Sequence, residues 1–184
     1  MTRRRFQLVI AVVLALGLIG ASIALAAGKR ADHRKHGAKG EFRASLSGFQ
    51  EVPATNTTGK AKLKFSMTSS EISFRLDYSN LSGPPAAAHI HVGQKGVNGG
   101  VSVFFCGGGG KPACPAATSG TVSGTIVAAD VIGPAAQGFA AGNLAALEKF
   151  IKSGLTYANM HTANFPAGEI RGQIKGGHHG DKQH

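Results

Sequence analysis

The chain has 184 residues, among them 20 Lys and Arg, 9 Asp and Glu, 27 Gly and 2 Cys. This length suits one folded domain, and the glycines show no Gly-X-Y period, so the composition excludes collagen and favours a glycine-rich β fold over disorder. Of the net charge of +11, residues 40–176 carry only 11 basic against 7 acidic side chains, with no basic run interleaved with aromatics, which argues against nucleic-acid binding.

The N-terminal segment 1–27 has the pattern of a secretory signal peptide. Residues 3–5 are arginines, residues 8–18 are apolar, and Ala24-Leu25-Ala26 forms a small-x-small cleavage site. An uncleaved anchor is the alternative, because the apolar stretch 6–27 approaches the ~20 residues that span a bilayer. We predict cleavage, no membrane span in the mature chain, and a secreted, cell-surface or periplasmic location.

The mature chain divides into a domain flanked by two polar segments. Residues 28–40 are rich in Lys, Arg and His with little to bury, so we predict a basic disordered linker. Residues 41–176 form the folded domain. Residues 177–184 form a disordered tail that contains histidines, and these tail histidines are expected to be solvated.

Alternating apolar and polar residues predict a mostly β domain. Residues 61–67 and 72–78 each alternate with the period of a strand that has one wet face, and Ser69 and Ser70 between them suit a hairpin turn. Gly, Pro and Asn clusters separate the further strand candidates, which are 42–49, 87–92, 101–105, 121–128, 157–162 and 169–174.

One helix interrupts the strands. Apolar residues at 144, 147, 150 and 151 recur at helical spacing, Asn143 is an N-cap candidate, and Gly154 stands where a left-handed C-terminal residue belongs. About eight short strands and one short helix predict a Greek-key β-sandwich or barrel, either immunoglobulin-like or similar to superoxide dismutase.

The two cysteines, Cys106 and Cys114, are predicted to form a disulfide. Both lie in the exported part of the chain, and the glycine-rich stretch between them is flexible enough to bring the sulfurs together. The bridge would leave no thiolate for catalysis.

Three histidines inside predicted strands share one face of the sheet. In residues 88–92 the apolar positions alternate with His89 and His91, and in residues 158–162 they place His161 opposite Met160. Imidazoles in His-x-His spacing suit Cu, Zn, Fe or Ni. The alternative is that the three rings only hydrogen-bond to turns and to each other.

Three segments resemble the signature of the CHRD domain, named after chordin. They are residues 87–93 (AAHIHVG), residues 157–162 (YANMHT) and residues 166–174 (PAGEIRGQI), and they occur in that order. The resemblance covers residues 40–176. It implies a secreted or surface β-sandwich of poorly defined function.

A weaker resemblance is to copper-zinc superoxide dismutase, which has an H-x-H strand, a later strand histidine and an Arg. His89, His91, His161 and Arg171 match this outline in order. It implies one copper ion, with zinc as the alternative, and an anion-attracting role for Arg171. The domain has no fourth histidine and no Asp-bearing zinc loop, so the binuclear centre is not supported.

Side chains on the same face are expected to surround the three ligands. Arg171, Glu169, Tyr157 and Asn159 alternate with apolar neighbours on the last two strands, and we expect Glu169 to pair with Arg171 or to orient an imidazole. Metal occupancy is expected to fall below about pH 6, the range of the ordinary His pKa.

No hydrolase, zinc-protease or phosphate-loop motif is present. The sequence therefore favours a non-enzymatic binding module, whose partner is a metal ion, a cell-surface component or another protein. A copper-dependent enzyme of the superoxide dismutase type is the alternative.

Overall fold

A computed structural model describes residues 40–177 of the chain. This part contains nine strands and one α-helix, with three short 3₁₀ turns at Gly48–Gln50, Ala128–Asp130 and Ala135–Gln137. The main elements are β1 (Gly40–Ser47), β2 (Lys60–Met67), β3 (Glu71–Ser79), β4 (Pro85–Val92), β5 (Val101–Cys106), β6 (Gly120–Val127), α1 (Leu144–Lys152), β7 (Thr156–Thr162), β8 (Ile170–Gln173) and β9 (Lys175–Gly176).

All strands pair antiparallel in one sheet that nearly closes into a barrel. The strand order is β5-β4-β7-β8-β1-β2-β3-β6, and β9 also pairs with β1. The Phe74 and Phe105 rings meet at 4.7 Å across the interior, so β3 and β5 face the same core. The predicted mostly β fold with one short helix is confirmed.

The first half of the sheet, here called the basic half, comprises β1, β2, β3 and β6. Its first two hairpin strands follow the predicted alternation, with every second residue buried. Phe42, Phe65 and Phe74 stand in register on the inner face, and the Phe42 and Phe65 rings stack at 5.1 Å. This inner face supplies much of the apolar core.

The second half, here called the histidine half, comprises β4, β5, β7 and β8. Ala88, Ile90 and Met160 point into the shared core and are fully buried. Strand β7 differs from the basic half because nearly all its residues are buried, those of the outer face included. Loops therefore cover the outer face of this half.

The single helix lies where the sequence predicted it. Asn143 Oδ1 accepts a hydrogen bond from the backbone N–H of Ala146 at 2.9 Å, which satisfies one free donor of the first turn. Leu147 and Ile151 are buried in the core. Gly154 has φ +70°, a left-handed conformation that ends the helix at little steric cost.

Cys106 and Cys114 are joined by a disulfide, as predicted. Cys106 ends β5, the edge strand of the histidine half, and the loop that follows turns back at Gly107. Gly107 has φ +75°, and a Cβ there would lie 2.1 Å from the carbonyl oxygen of Ala86, so only glycine fits.

The predicted signal peptide, most of the basic linker and the histidine-containing tail lie outside the described residues. Strand β1 begins at Gly40, one residue before the expected start of the domain. Among residues 40–177, no helix has the length and apolar character needed to cross a bilayer.

Candidate metal centre

Three imidazole rings converge on the outer face of the histidine half. His89 and His91 lie on β4, and His161 lies on β7. The centroid of the His89 ring is 4.6 Å from that of His91 and 4.6 Å from that of His161. Each ring offers one nitrogen, and these nitrogens lie within 4.8 Å of one another. The structure thus brings together the three histidines that the sequence placed on one face.

Strand register produces this convergence. Strands β4 and β7 pair antiparallel, with His89 opposite Asn159 and Ala87 opposite His161. His161 is therefore a diagonal neighbour of His89 on the same face, within reach of its ring. On the other side of β4, Phe104 of β5 lies against His89 with ring centroids 4.9 Å apart.

Two of the rings are oriented by main-chain carbonyl groups. His91 Nδ1 donates to the carbonyl oxygen of Gly99 at 2.8 Å, and His161 Nδ1 donates to that of Pro166 at 2.9 Å. A carbonyl oxygen only accepts, so each Nδ1 carries the hydrogen and each Nε2 keeps its lone pair. Both Nε2 atoms and His89 Nδ1 are buried without a hydrogen-bond partner. Buried ring nitrogens without partners are uncommon in proteins.

Burial keeps the three rings neutral. It lowers the pKa of His89 to about 3 and that of His91 to about 4, and it also lowers the pKa of His161. Neutral imidazole is the form that binds metal ions. The expectation of a loss of metal near pH 6 assumed the ordinary His pKa, and with these lowered pKa values any such loss would require a lower pH.

The spacing of the rings fits a shared ion. Metal to imidazole distances are about 2.0–2.1 Å, so two nitrogens on the same ion lie at most about 4 Å apart. In a tetrahedral site the nitrogens lie about 3.3 Å apart, so the observed nitrogens, all within 4.8 Å of one another, need to approach each other by up to about 1.5 Å. Rotation of the side chains supplies a movement of that size.

Tyr157 and Arg171 form a stack on the His91 ring. The rings of His91 and Tyr157 are nearly parallel with centroids 4.6 Å apart, and Arg171 Cζ lies 3.4 Å from the centre of the Tyr157 ring. Arg171 is only 2% exposed. The stack therefore restricts the orientation of the His91 ring, because Tyr157 packs against one face of that ring and Arg171 packs against Tyr157.

The guanidinium of Arg171 holds the loop after β4. Its N–H groups donate to Asn98 Oδ1 at 2.9 Å and to the carbonyl oxygens of Val97 at 2.8 Å and Gln94 at 3.2 Å. These bonds fix the loop whose Gly99 orients His91. Arg171 thus acts on the histidines through this loop and through Tyr157.

Glu169 fastens neighbouring segments and forms no ion pair with Arg171 within residues 40–177. Its carboxylate accepts from Thr57 Oγ1, from the N–H and Oγ of Ser82, and from Thr162 Oγ1, at 2.6–2.8 Å. Burial acts to raise the pKa of this carboxyl, but the four donors outweigh it and the pKa is lowered. Neither expected role of Glu169 is seen in its contacts.

Glu51 is a site residue that the sequence did not reveal. It is 8% exposed and accepts a hydrogen bond from Asn159 Nδ2. Burial raises its pKa to about 7, although the nearby Arg171 charge and hydrogen bonds from Val52 and Asn159 act to lower it. The residue lies in an irregular loop, where periodicity gives no signal.

Three loops bury this polar face. Residues 48–59 lie over it, with Thr55 Oγ1 donating to the carbonyl oxygen of Glu169. Residues 93–100 join that loop where Asn98 Nδ2 donates to the carbonyl oxygen of Val52. Residues 163–168 supply Pro166 to His161. The histidines consequently sit in a polar layer between the sheet and these loops.

A protein-family model matches most of the described chain. Residues 42–174 match the family model described as CHRD domain, which includes all three histidines, Glu51 and both cysteines. No curated protein and no solved structure matches the chain.

Proposed function

Because the chain belongs to the CHRD domain family, we propose that it is an exported, non-enzymatic binding module whose three histidines hold one transition-metal ion. The observation that carries the proposal is the meeting of one buried and two half-buried imidazoles, whose free nitrogens are buried and have no hydrogen-bond partner. His89, His91 and His161 are the ligands, and copper is the favoured metal, with zinc as the alternative.

The three buried ring nitrogens without partners are unfavourable in the metal-free protein. Leaving a buried acceptor without a partner costs about 1–3 kcal/mol, and this half of the sheet leaves three such atoms in one place. A bound cation would satisfy all of them at once. Hydrogen bonding between the rings does not account for the arrangement, because none of these nitrogens has a partner.

The donor set supports copper over zinc. It consists of neutral imidazoles without a thiolate, and divalent copper binds such nitrogen sites more tightly than zinc does. Three ligands leave a position for water or an external ligand, as in sites that exchange or react rather than closed structural sites. When bound, the metal supplies Lewis acidity and, if it is copper, one-electron chemistry at that position.

Export is supported by two independent features. The disulfide between Cys106 and Cys114 persists in oxidising compartments outside the cytoplasm. The predicted leader 1–27 provides the route. Intact-mass measurement of protein recovered from the medium or periplasm tests this part, and a mass that retains the leader would support the anchor instead.

The metal test must separate the site from the histidines outside the domain. We start from a background in which those five are replaced by alanine, namely His33, His36, His178, His179 and His184, and produce it without a His tag. Calorimetric titration with Cu(II) at pH 7 is compared with the His89→Ala/His161→Ala variant of this background. We expect the variant to bind at least about 100-fold more weakly.

Spectroscopy and a matched control complete the test. Electron paramagnetic resonance of the loaded background protein should show copper coupled to imidazole nitrogens, and the signal should be lost in the double variant. The control is Lys175→Ala at an exposed position of β9, which removes neither an imidazole nor a hydrogen bond of the loops that cover the histidines. Equal copper affinity in all three proteins would mean that the polar face binds no metal.

A copper enzyme of the superoxide dismutase type is the second candidate. The order of His89, His91, His161 and Arg171 and the open coordination position favour it. We rank it second because the N–H groups of Arg171 are used by the loop after β4. Superoxide dismutation by the copper-loaded protein, abolished by His89→Ala, would place the enzyme first.

A further inference from the structure

A groove of about 540 Å³ crosses the outer face of the basic half. It is lined by residues of β1, β2 and β3, with Gly124 of β6 at one end. The inward phenylalanines 42, 65 and 74 are buried and also line the groove, and the outward side chains before and after them form its two walls.

One wall of the groove is basic. Arg43, Lys64 and Arg75 stand directly opposite one another on three adjacent strands. Neighbouring strands lie about 4.8 Å apart, so the three cations form a row of about 10 Å at the level of the backbone. Lys60 and Lys62 extend the positive surface along β2.

This row is unfavourable for the isolated protein. Like charges directly opposite each other on a sheet destabilise it. Arg75 has an ion-pair partner in Asp77 at 2.7 Å, whereas Arg43 and Lys64 form no ion pair with any residue of the described range 40–177. A ligand with regularly spaced negative groups would remove this repulsion.

The opposite wall has a different chemistry. It consists of Glu41, Ser66 and Ser73, which also stand in register across the three strands. Hydroxyl groups donate and accept, and the Glu41 carboxylate accepts hydrogen bonds from hydroxyl groups but repels anions. The groove is therefore suited to a ligand that is anionic along one side and rich in hydroxyl groups along the other.

The geometry points to a linear anionic polysaccharide as the occupant of this groove. Its charged groups would face Arg43, Lys64 and Arg75, and its hydroxyl groups would face the Ser66 and Ser73 wall. A polyphosphate or a membrane surface would place negative charge against Glu41, and no exposed aromatic ring lines the groove to stack nucleic-acid bases. The groove lies on the half of the sheet without the histidines, so its occupation does not depend on metal binding.

The test uses the full exported chain with heparin fragments as the polysaccharide probe in about 0.1 M salt. The groove variant is Arg43→Gln/Lys64→Gln. The matched control, Lys95→Gln/Lys149→Gln, removes the same charge from exposed positions outside the groove. We expect the groove variant to bind about 5- to 20-fold more weakly and the control to change less than about twofold. Equal weakening in both would reduce the interaction to non-specific attraction and overturn the proposal.

A second variant tests the hydroxyl wall. Ser66→Ala/Ser73→Ala should weaken heparin binding about three- to tenfold while leaving binding of inorganic polyphosphate unchanged. Single-stranded DNA of equal charge and vesicles with anionic lipids serve as rival ligands. If either binds the wild-type groove as tightly as heparin does and loses as much affinity in the Arg43→Gln/Lys64→Gln variant, the assignment to a polysaccharide is wrong.

Discussion

The two halves of the sheet use their outer faces in opposite ways. In the basic half, β2 buries every second residue and exposes Lys60, Lys62 and Lys64. In the histidine half, β7 buries nearly everything, and Tyr157 and Asn159 on its outer face are each only 3% exposed. One half follows the usual pattern of an antiparallel sheet with a solvated side, and the other carries a second, polar interior.

This difference shows that folding of the histidine half requires the burial of polar groups, which lowers the free energy of unfolding unless those groups find partners. Polar groups in the histidine half need partners because water does not reach them, whereas those in the basic half are solvated. Equivalent substitutions should therefore have large effects on the outer face of one half and small effects on the other.

The largest effect is expected at Glu169. Glu169→Ala removes the buried acceptor of four hydrogen bonds, whose donors are the buried hydroxyl of Thr162, the half-buried hydroxyl of Thr57, and the N–H and hydroxyl of Ser82. We expect a loss of about 4 kcal/mol in the free energy of unfolding, measured in urea. Glu41→Ala on the exposed face of β1 is the control and should change it by less than about 0.5 kcal/mol. Similar losses in both variants would remove the contrast between the halves.

The same carboxyl should give stability a pH dependence. Its pKa in the folded state lies below the ordinary value of 4.5, so its contribution is complete above about pH 4.5 and is lost as pH falls through the folded pKa. Unfolding measured from pH 6 to pH 3 should show a steeper decline for wild type than for Glu169→Gln. Parallel curves would contradict this assignment.

Glu51 should give the free energy of unfolding the opposite pH dependence to that of Glu169, because its pKa is raised and not lowered. Its pKa in the folded state is about 7, above the ordinary 4.5, so the favourable contribution of the protonated form disappears as pH rises from 4.5 through 7. We expect Glu51→Gln to be more stable than wild type by about 3 kcal/mol at pH 8, with no such gain at pH 4.5. Asp77→Asn on the exposed face of β3 provides the comparison and should show no gain at pH 8.

Breaking the disulfide should cost somewhat less. Cys106→Ser/Cys114→Ser opens a short loop at the edge strand of the histidine half, and we expect a loss of about 2–3 kcal/mol. Urea unfolding of the variant and of reduced, alkylated wild type should agree. Edge strand β6 of the basic half contains no cysteine, so no disulfide links it to a loop. If alkylated thiols are found in the exported protein without reduction, the bridge is absent in solution.

The smallest expected effect is a gain in stability of the metal-free His89→Leu variant. In metal-free protein, His89→Leu removes a buried nitrogen without a partner, so we expect the free energy of unfolding to rise by about 1 kcal/mol at pH 7. In the presence of Cu(II) the order should reverse, because only wild type is stabilised by binding. A loss of stability in the metal-free variant would indicate that His89 has a structural role instead.

Much of the fold was predictable because local patterns determine it. Strands 61–67 and 72–78 lie within one or two residues of β2 and β3, and Asn143 and Gly154 occupy the helix ends as expected. These features follow from alternation, capping and backbone conformation, which neighbouring residues control. The disulfide followed from the number and spacing of the cysteines.

The histidine cluster was predictable only in part. Alternation placed His89, His91 and His161 on one face, but it did not show that loops cover that face. The role of Arg171 and the presence of Glu51 depend on contacts between segments far apart in the chain. No pattern within a single strand or loop carries that information. The contacts of Glu169 within residues 40–177 are accordingly with Thr57, Ser82 and Thr162 and not with Arg171.

The hydrogen bonds that orient His91 and His161 end on carbonyl oxygens of the main chain. Every amino acid has this oxygen, so Pro166 could be replaced by any residue that keeps the path of its loop. Gly99 is more restricted, because a Cβ there would lie 1.7 Å from the carbonyl oxygen of Val92. Across related sequences, the histidine cluster should therefore tolerate varied loop composition but few insertions or deletions in residues 93–100 and 163–168.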